Sequence, residues 1–200
     1  MKTKVLLYTR FERFWHWFQA FLIIFLLVTG FEVHGTVKIF GYGAACYWHN
    51  LAGMTLLILT AFAIFWHLTT GAWKHYQPCS DNLKEIGAYY CVGIMRGESH
   101  PFHKSQERKL NPLQALSYFV LKMVLLPLQL VSGLLYYLYN DWLSWGLTMR
   151  LDGVAMLHTG MAFVMLLFLL VHVYLATTGS TLISYMMAMI TGWEELDEEG

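Results

Sequence analysis

The sequence predicts an all-α integral membrane protein, a four-helix bundle that forms one membrane domain over residues 1–200. Apolar residues make up 57% of the chain and charged residues only 13%, against roughly 25% charged residues in an ordinary soluble protein. A water-soluble fold of this composition would lack the polar side chains that cover a surface. Four long apolar stretches supply the second observation, because each is long enough to cross a bilayer.

The four stretches cover about residues 14–33, 47–70, 113–139 and 154–178. Roughly 20 residues at about 1.5 Å each cross some 30 Å of hydrocarbon. Lipid offers the backbone no hydrogen bonds, so we expect each stretch to be an α-helix. The first stretch is too long for the apolar part of a cleavable signal peptide and has no small-x-small cleavage site after it. It is therefore interpreted as a membrane span.

Basic residues concentrate on one side of the predicted membrane. Two segments, the one before span one and the loop between spans two and three, hold most of the 13 lysines and arginines: Lys2, Lys4, Arg10, Arg13, Lys74, Lys84, Arg96, Lys104, Arg108 and Lys109. The other side holds only Lys38 and Arg150. The positive-inside rule predicts that both termini and the long loop are cytoplasmic. The formal net charge of zero gives no indication of nucleic-acid binding.

The cytoplasmic loop, about residues 71–111, is long for a connection in a compact domain. Its segment from Asn82 to Gly97 shows a mixed helical pattern of apolar residues. Two interpretations stay open for this segment: a helix that lies on the membrane surface, or an ordinary folded loop.

Polar side chains inside membrane spans are costly, which makes them candidates for function. Five histidines lie in the predicted spans: His16, His49, His67, His158 and His172. On span four, His158 and His172 are separated by a rotation of about 1400°, some 40° short of four full turns, and by a rise of about 21 Å. Both therefore face the same side, one near each membrane surface. This arrangement is typical of a helix that gives one axial ligand to each of two haems.

The remaining ligands follow from depth in the membrane. Span four begins outside, so His158 lies near the outer face and His172 lies nearer the cytoplasm. His49 begins span two on the outside, and His16 begins span one on the inside. Depth therefore pairs His49 with His158 and His16 with His172. His67 is the competitor, because it lies five full turns after His49 on the same face. It could replace His16 as the inner ligand, or bind a haem propionate or a quinone.

Two other interpretations of the histidines are weaker. Scattered histidines can hydrogen-bond between membrane helices, but the shared face and the matched depths argue against coincidence. A zinc site would need ligands at short range, whereas these fall into two distant groups. The three cysteines, Cys46, Cys79 and Cys91, show no CxxC, CxxCH or disulfide pattern. Covalently attached haem and an iron–sulfur cluster are therefore not indicated, and free thiols are favoured.

Several glycines and two cations fit a haem protein. Glycine lets a porphyrin face approach a helix closely, and Gly53 is one turn from His49; Gly30, Gly133 and Gly160 also lie in the spans. Each glycine could instead serve helix packing. Arg13, one turn before His16, is placed to neutralise a haem propionate, although topology alone would explain it. Lys122, inside span three, pairs with a propionate or lies in a wet pocket between helices.

The sequence resembles the bacterial di-haem cytochrome b subunits of formate dehydrogenase, Ni,Fe-hydrogenase and thiosulfate reductase over nearly its whole length. The segments that carry the resemblance are Arg13–Trp17, His49–Gly53, Asn111–Gln114, Leu157–Tyr174 and Ala176–Glu195. The resemblance implies that His16, His49, His158 and His172 bind two haem b groups. It also implies a menaquinone or ubiquinone site beside the inner haem, near His172, with Asn111 as a quinone-site residue. Asn111 and Pro112 could also cap span three.

The resemblance implies a membrane anchor that carries electrons between a quinone and a periplasmic iron–sulfur or multihaem cytochrome subunit of a respiratory complex. In such a protein the cofactors supply the redox chemistry, and the chain supplies placement and axial ligands. The alternative is a free-standing di-haem cytochrome that oxidises quinol without a catalytic partner. A third class, a non-redox metal or solute transporter, would bind no haem.

Overall fold

The computed structural model describes residues 2–76, 82–98, 109–179 and 181–197; Cys79, Lys104 and Arg108 lie outside these ranges. The described chain is helical apart from two short strands. The elements are β1 (Lys2–Leu6), α1 (Arg10–Val33), α2 (Tyr42–Thr70), a 3-10 helix (Ala72–Tyr76), α3 (Leu83–Ala88), α4 (Pro112–Val120), α5 (Leu126–Tyr137), a second 3-10 helix (Tyr139–Asp141), α6 (Leu151–Ala176), α7 (Ser184–Thr191) and β2 (Trp193–Asp197).

Four helices are long and apolar enough to cross a membrane: Arg10–Val33, Tyr42–Thr70, Pro112–Tyr137 and Leu151–Ala176. The predicted four-span architecture is confirmed. Three of the four begin three to five residues before the predicted apolar stretch. At α1, Thr9 Oγ1 accepts from the Glu12 N–H at 3.3 Å, and Glu12 Oε2 accepts from the Thr9 N–H at 2.7 Å. This capping box fixes the start of the helix.

Span three is a distorted helix, where the sequence suggested a regular one. Asn111 caps its start, since Asn111 Oδ1 accepts from the Gln114 N–H at 2.8 Å and Gln114 Oε1 accepts from the Asn111 N–H at 3.2 Å. A π-helical turn, Leu121–Leu125, then separates α4 from α5. Pro127 explains the distortion, because proline has no N–H to donate and crowds the preceding turn.

The chain divides into two compact units. The first unit comprises Met1–Arg13, Trp66–Met123 and Val171–Gly200, and the second comprises Phe14–Phe65 and Val124–Leu170. The second unit contains a cluster of buried apolar side chains, Leu22, Ala52, Leu56 and Leu126. Each of the four spans contributes residues to both units.

In the first unit, the two ends of the chain pair with each other. Strands β1 and β2 are antiparallel, with Val5 opposite Glu194. The backbone N–H groups of Leu7 and Tyr8 both donate to Gly192 O, at 2.9 and 3.2 Å. Gly192 has φ +90°, and a Cβ there would come within 2.7 Å of Tyr8 O. Glycine is therefore required at this turn. This pairing was not foreseen from the sequence, because strands of five residues leave no clear alternation.

The loop segment from Asn82 to Gly97, for which a surface helix and an ordinary folded loop were both open, is helical. Helix α3 continues through a π-helical turn, Tyr89–Gly93, into a 3-10 turn that ends at Arg96. Ile86 and Tyr90 are its buried side chains, at 0% and 7% exposure. Their burial fixes the segment within the first unit.

Candidate functional site

His49 of α2 and His158 of α6 lie side by side in the second unit. Their ring centroids are 6.1 Å apart, and the ring planes are nearly perpendicular, at 89°. Two imidazoles that bind one metal ion from opposite sides, through nitrogens about 2 Å from it, have ring centroids about 6 Å apart. The predicted outer pair of histidines is therefore brought together at a separation that fits one metal centre.

The surroundings of His49 come from α1. Thr29 Oγ1 lies 3.0 Å from His49 Nδ1, and the Thr29 side chain is fully buried, at 0% exposure. The next residue is Gly30, where a Cβ would lie 3.1 Å from His49 Cε1. The imidazole therefore packs directly on the backbone of α1.

The surroundings of His158 come from α5 and repeat this arrangement. Ser132 Oγ lies 3.2 Å from His158 Nδ1, and Ser132 is 2% exposed. The next residue is again a glycine, Gly133, where a Cβ would lie 2.9 Å from His158 Cε1. Gln129 Nε2 lies 3.3 Å from the same Nδ1, and the ring of Tyr136 lies 6.4 Å from the His158 ring.

These residues fit a haem iron better than a bare metal ion. Within the described ranges, no three His, Cys, Asp or Glu side chains converge in a way that could hold a metal. Two histidines alone leave the coordination of an ion incomplete, whereas a porphyrin supplies four further nitrogens. The helices also leave room: a Cβ at Gly53 would meet only Leu26 Cδ2, at 3.9 Å, and a Cβ at Gly160 would meet no atom within 4 Å.

The other predicted ligands, His16 and His172, fall in different units, and their pairing stays a prediction. In the first unit, Tyr118 Oη lies 3.4 Å from His172 Nδ1. His172 therefore has a hydroxyl beside its Nδ1, as His49 and His158 do. His16 is partly buried, near the start of α1.

His67, the competitor for the inner ligand position, contacts Lys122. Lys122 Nζ lies 3.1 Å from His67 Nε2, and His67 is 9% exposed. An amine has N–H groups to donate in its charged and its neutral form, so Nζ is the donor and His67 Nε2 the acceptor when the imidazole proton is on Nδ1. Lys122 therefore has a partner within the protein. Glu12 and Lys109 form an ion pair at 3.6 Å in the same unit, with side-chain exposures of 12% and 17%.

Asn111, the predicted quinone-site residue, is 2% exposed. Besides capping α4, its Nδ2 donates to Tyr90 Oη at 2.8 Å, and Tyr174 Oη donates to Tyr90 O at 3.1 Å. Burial raises the pKa of the Tyr90 phenol, which stays protonated at neutral pH. Arg13 Nη1 donates to Ile190 O, at the end of α7. Arg13 thus has a structural partner at the turn before β2.

Thr29 and Ser132 were not predicted from the sequence. A hydroxyl followed by glycine, Thr29–Gly30 and Ser132–Gly133, occurs in both spans that face the proposed outer ligands, and this shared dipeptide was the available signal. Glu32 was also missed; it is 4% exposed. The Glu32 carboxylate accepts from the backbone N–H groups of Ile39, Phe40 and Gly41 at 2.7–3.0 Å. It holds the loop between α1 and α2.

Comparison with known proteins gives the family to which the sequence is similar. A family model described as prokaryotic cytochrome b561 matches residues 7–192. A protein of Escherichia coli (strain K12) named "Putative cytochrome YdhU" is 31% identical over 198 residues, which is 95% of this chain and 74% of the relative.

Proposed function

The chain belongs to the prokaryotic cytochrome b561 family, and from this membership we propose that it is the membrane-anchoring di-haem cytochrome b subunit of a respiratory oxidoreductase complex. The family binds haem b, and the four span helices agree with a bacterial inner membrane protein of electron transfer. In our proposal, electrons pass between a periplasmic iron–sulfur or multihaem subunit and the quinone pool. The bound haem supplies one-electron chemistry, and the chain holds it, orients its ligands and excludes water.

The observation that carries the proposal is the pair His49 and His158. Their centroid separation of 6.1 Å agrees with two axial ligands of one iron. Both side chains are partly buried among helices of the second unit. A hydroxyl beside each Nδ1 favours Nε2 as the nitrogen that binds a metal, the usual arrangement for a ligating histidine. The Gln129 amide nitrogen lies 3.4 Å from His158 Nε2, a longer contact than the one of 3.1 Å between Lys122 and His67 Nε2.

The second haem is assigned to His16 and His172. The hydroxyl of Tyr118 beside His172 Nδ1 supports a ligand role for His172. Lys122 supports His16 over His67, because it occupies the Nε2 atom that His67 would need for the iron. Arg13 is placed in this proposal as a contact of a propionate, and Gly53 as a residue that gives the porphyrin room.

A quinone site, for menaquinone or ubiquinone, is assigned to the region of His172 and Asn111. The buried Asn111 amide and the protonated phenol of Tyr90 supply neutral hydrogen-bonding groups in the first unit. Such groups suit a quinone oxygen. The excess of basic residues in the N-terminal segment and the long loop supports cytoplasmic termini, and hence a cytoplasmic position for this site.

Haem stoichiometry tests the ligand assignments. We expect His49→Ala and His158→Ala to lose one haem, and His16→Ala and His172→Ala to lose the other, as read from the haem-to-protein ratio after mild solubilisation. His67→Ala is the matched control and keeps both haems. Loss of a haem from His67→Ala and not from His16→Ala would overturn the inner pairing, and a colourless wild-type protein would overturn the proposal.

Partner binding is tested separately, by co-purification from the native membrane. A stoichiometric iron–sulfur or multihaem subunit is the expected result. A cytochrome that purifies alone and still oxidises quinol would favour the free-standing alternative.

A further inference from the structure

We propose that Thr29–Gly30 and Ser132–Gly133 form two equivalent seats that fix the imidazoles of His49 and His158 with the proton on Nδ1, and thereby lower the reduction potential of the metal they bind. The inference rests on the proposed function, since it takes these two histidines as axial ligands. It concerns the four seat residues, none of which touches the metal.

The proton count at each hydroxyl fixes the tautomer. Thr29 Oγ1 donates its single proton to Phe25 O, at 2.8 Å, so towards His49 Nδ1 it acts as an acceptor. Ser132 Oγ donates in the same way to Leu128 O, at 2.6 Å, and therefore accepts from His158 Nδ1. The Gln129 amide also lies at His158 Nδ1, at 3.3 Å, and its Oε1 has no hydrogen-bond partner among the described residues. With the amide oxygen and nitrogen exchanged, Gln129 accepts from Nδ1–H as Ser132 does. Both rings then carry a proton on Nδ1. The lone pair of each ring is left on Nε2.

A backbone carbonyl of the same helix turn reinforces each seat. The carbonyl oxygen of Leu26 lies 3.3 Å from Thr29 Oγ1, on the side of the His49 ring. The carbonyl oxygen of Gln129 lies 3.2 Å from Ser132 Oγ, on the side of the His158 ring. A carbonyl oxygen can only accept, so these contacts demand the same tautomer as the hydroxyls do.

Glycine makes the seats possible. With Cβ positions only 3.1 and 2.9 Å from the imidazole carbons, any larger residue at Gly30 or Gly133 would push the ring away from its hydroxyl. The contact holds the ring on the backbone of the neighbouring helix. Hydroxyl and glycine are adjacent residues, so one helix turn supplies both the hydrogen bond and the space.

The seats have a consequence for redox chemistry. A hydrogen bond from Nδ1–H makes an imidazole a more basic ligand, and a more basic axial ligand stabilises the oxidised iron. Removal of one acceptor should therefore raise the potential. A tenfold change in the ratio of reduced to oxidised haem at fixed ambient potential corresponds to about 59 mV for one electron, and we expect a change of this order for each hydroxyl removed.

The test is a spectroelectrochemical titration of the purified, haem-loaded protein in lipid nanodiscs. Thr29→Val and Ser132→Ala should each raise the midpoint potential of the haem that His49 and His158 bind. Thr29→Ser keeps the hydroxyl and should therefore have the wild-type potential. Thr60→Val is the matched control. Thr60 also donates to the carbonyl four residues before it, Leu56 O at 2.7 Å. No hydrogen bond joins Thr60 to a histidine in the part of the chain that the structure describes, so its replacement should leave both potentials unchanged.

The outcomes separate the seats from the ligands. If His49→Ala loses haem while Thr29→Val titrates like Thr60→Val, the ligands are right and the seat proposal is overturned. If His49→Ala keeps all its haem, the proposed function fails at this site. If Thr29→Val binds too little haem to titrate, ¹⁵N NMR of the haem-depleted protein measures the histidine tautomers instead. A protonated Nδ1 in wild type, with loss of this preference in the variant, supports the proposal. A protonated Nε2 in wild type refutes it.

Discussion

Replacement of Gly133 by alanine tests the packing of His158 on α5. The new Cβ would lie 2.9 Å from His158 Cε1 and 3.3 Å from Nδ1. Carbon atoms in contact are at least about 3.5 Å apart, so the ring or the helix must move by roughly 0.6 Å. A metal–nitrogen bond of about 2 Å cannot stretch by that amount. Overpacking of a core costs about 1–3 kcal/mol, which is a loss of about 5- to 150-fold in haem affinity.

The assay is the haem-to-protein ratio of purified Gly133→Ala, with the Soret band as a second readout. Gly153→Ala is the matched control: Gly153 lies in α6 with His158, and a Cβ there would meet no atom within 4 Å. Alanine is the better helix former by about 1 kcal/mol, so this control should be as stable as wild type or more so. Full haem occupancy with an unchanged spectrum in Gly133→Ala would refute the packing argument.

Three further predictions concern stability. His67→Leu should lower the melting temperature, because Lys122 then loses an acceptor inside the protein. Adding Lys122→Met should recover the lost stability. A double-mutant cycle by thermal unfolding measures the coupling between the two side chains, and strictly additive effects would exclude it. Glu32→Ala should have a lower melting temperature than Glu32→Gln, because the glutamine amide keeps one oxygen that accepts from the backbone N–H groups of the loop. Equal melting temperatures would contradict the role of Glu32 in holding this loop. Burial raises the pKa of Tyr185 to about 12, above its value of about 10 in an unfolded chain. Its folded form holds the proton longer, so wild type should lose stability as the pH rises from about 10 to 12; Tyr185→Phe should lose less, and identical pH profiles of unfolding would count against the assignment.

The sequence predicted the spans well because their signal is local. A run of apolar residues and a fixed rise per residue define a membrane helix without knowledge of its neighbours. Helical phase and depth also paired His49 with His158, which the structure brings to a 6.1 Å ring separation. The π-helical turn in span three was missed, although Pro127 was visible, because the response of a helix to proline depends on its surroundings.

The partners of the histidines could not be predicted, because they depend on how helices rotate against one another. Thr29 and Ser132 look like ordinary membrane-helix residues that bond their own backbone. Only the packing shows that each also faces an imidazole. Lys122 is the same kind of case: a charge inside a span demands a partner, but the sequence suggested a propionate or water, and the structure supplies His67.

The hydroxyls beside the histidines also predict an order of potentials for the two proposed haems. Thr29 and Ser132 lie 3.0 and 3.2 Å from their imidazoles, whereas the Tyr118 phenol lies 3.4 Å from His172 Nδ1. With the phenol oxygen as the acceptor from His172 Nδ1–H, this hydrogen bond is the longest and weakest of the three. His172 should then be the less basic ligand, and its haem should have the higher potential by this contribution. Tyr118→Phe should then raise the potential of that haem by less than Thr29→Val raises the potential of the other. The two shifts are measured in one redox titration series, and a larger shift in Tyr118→Phe would reverse the expected order.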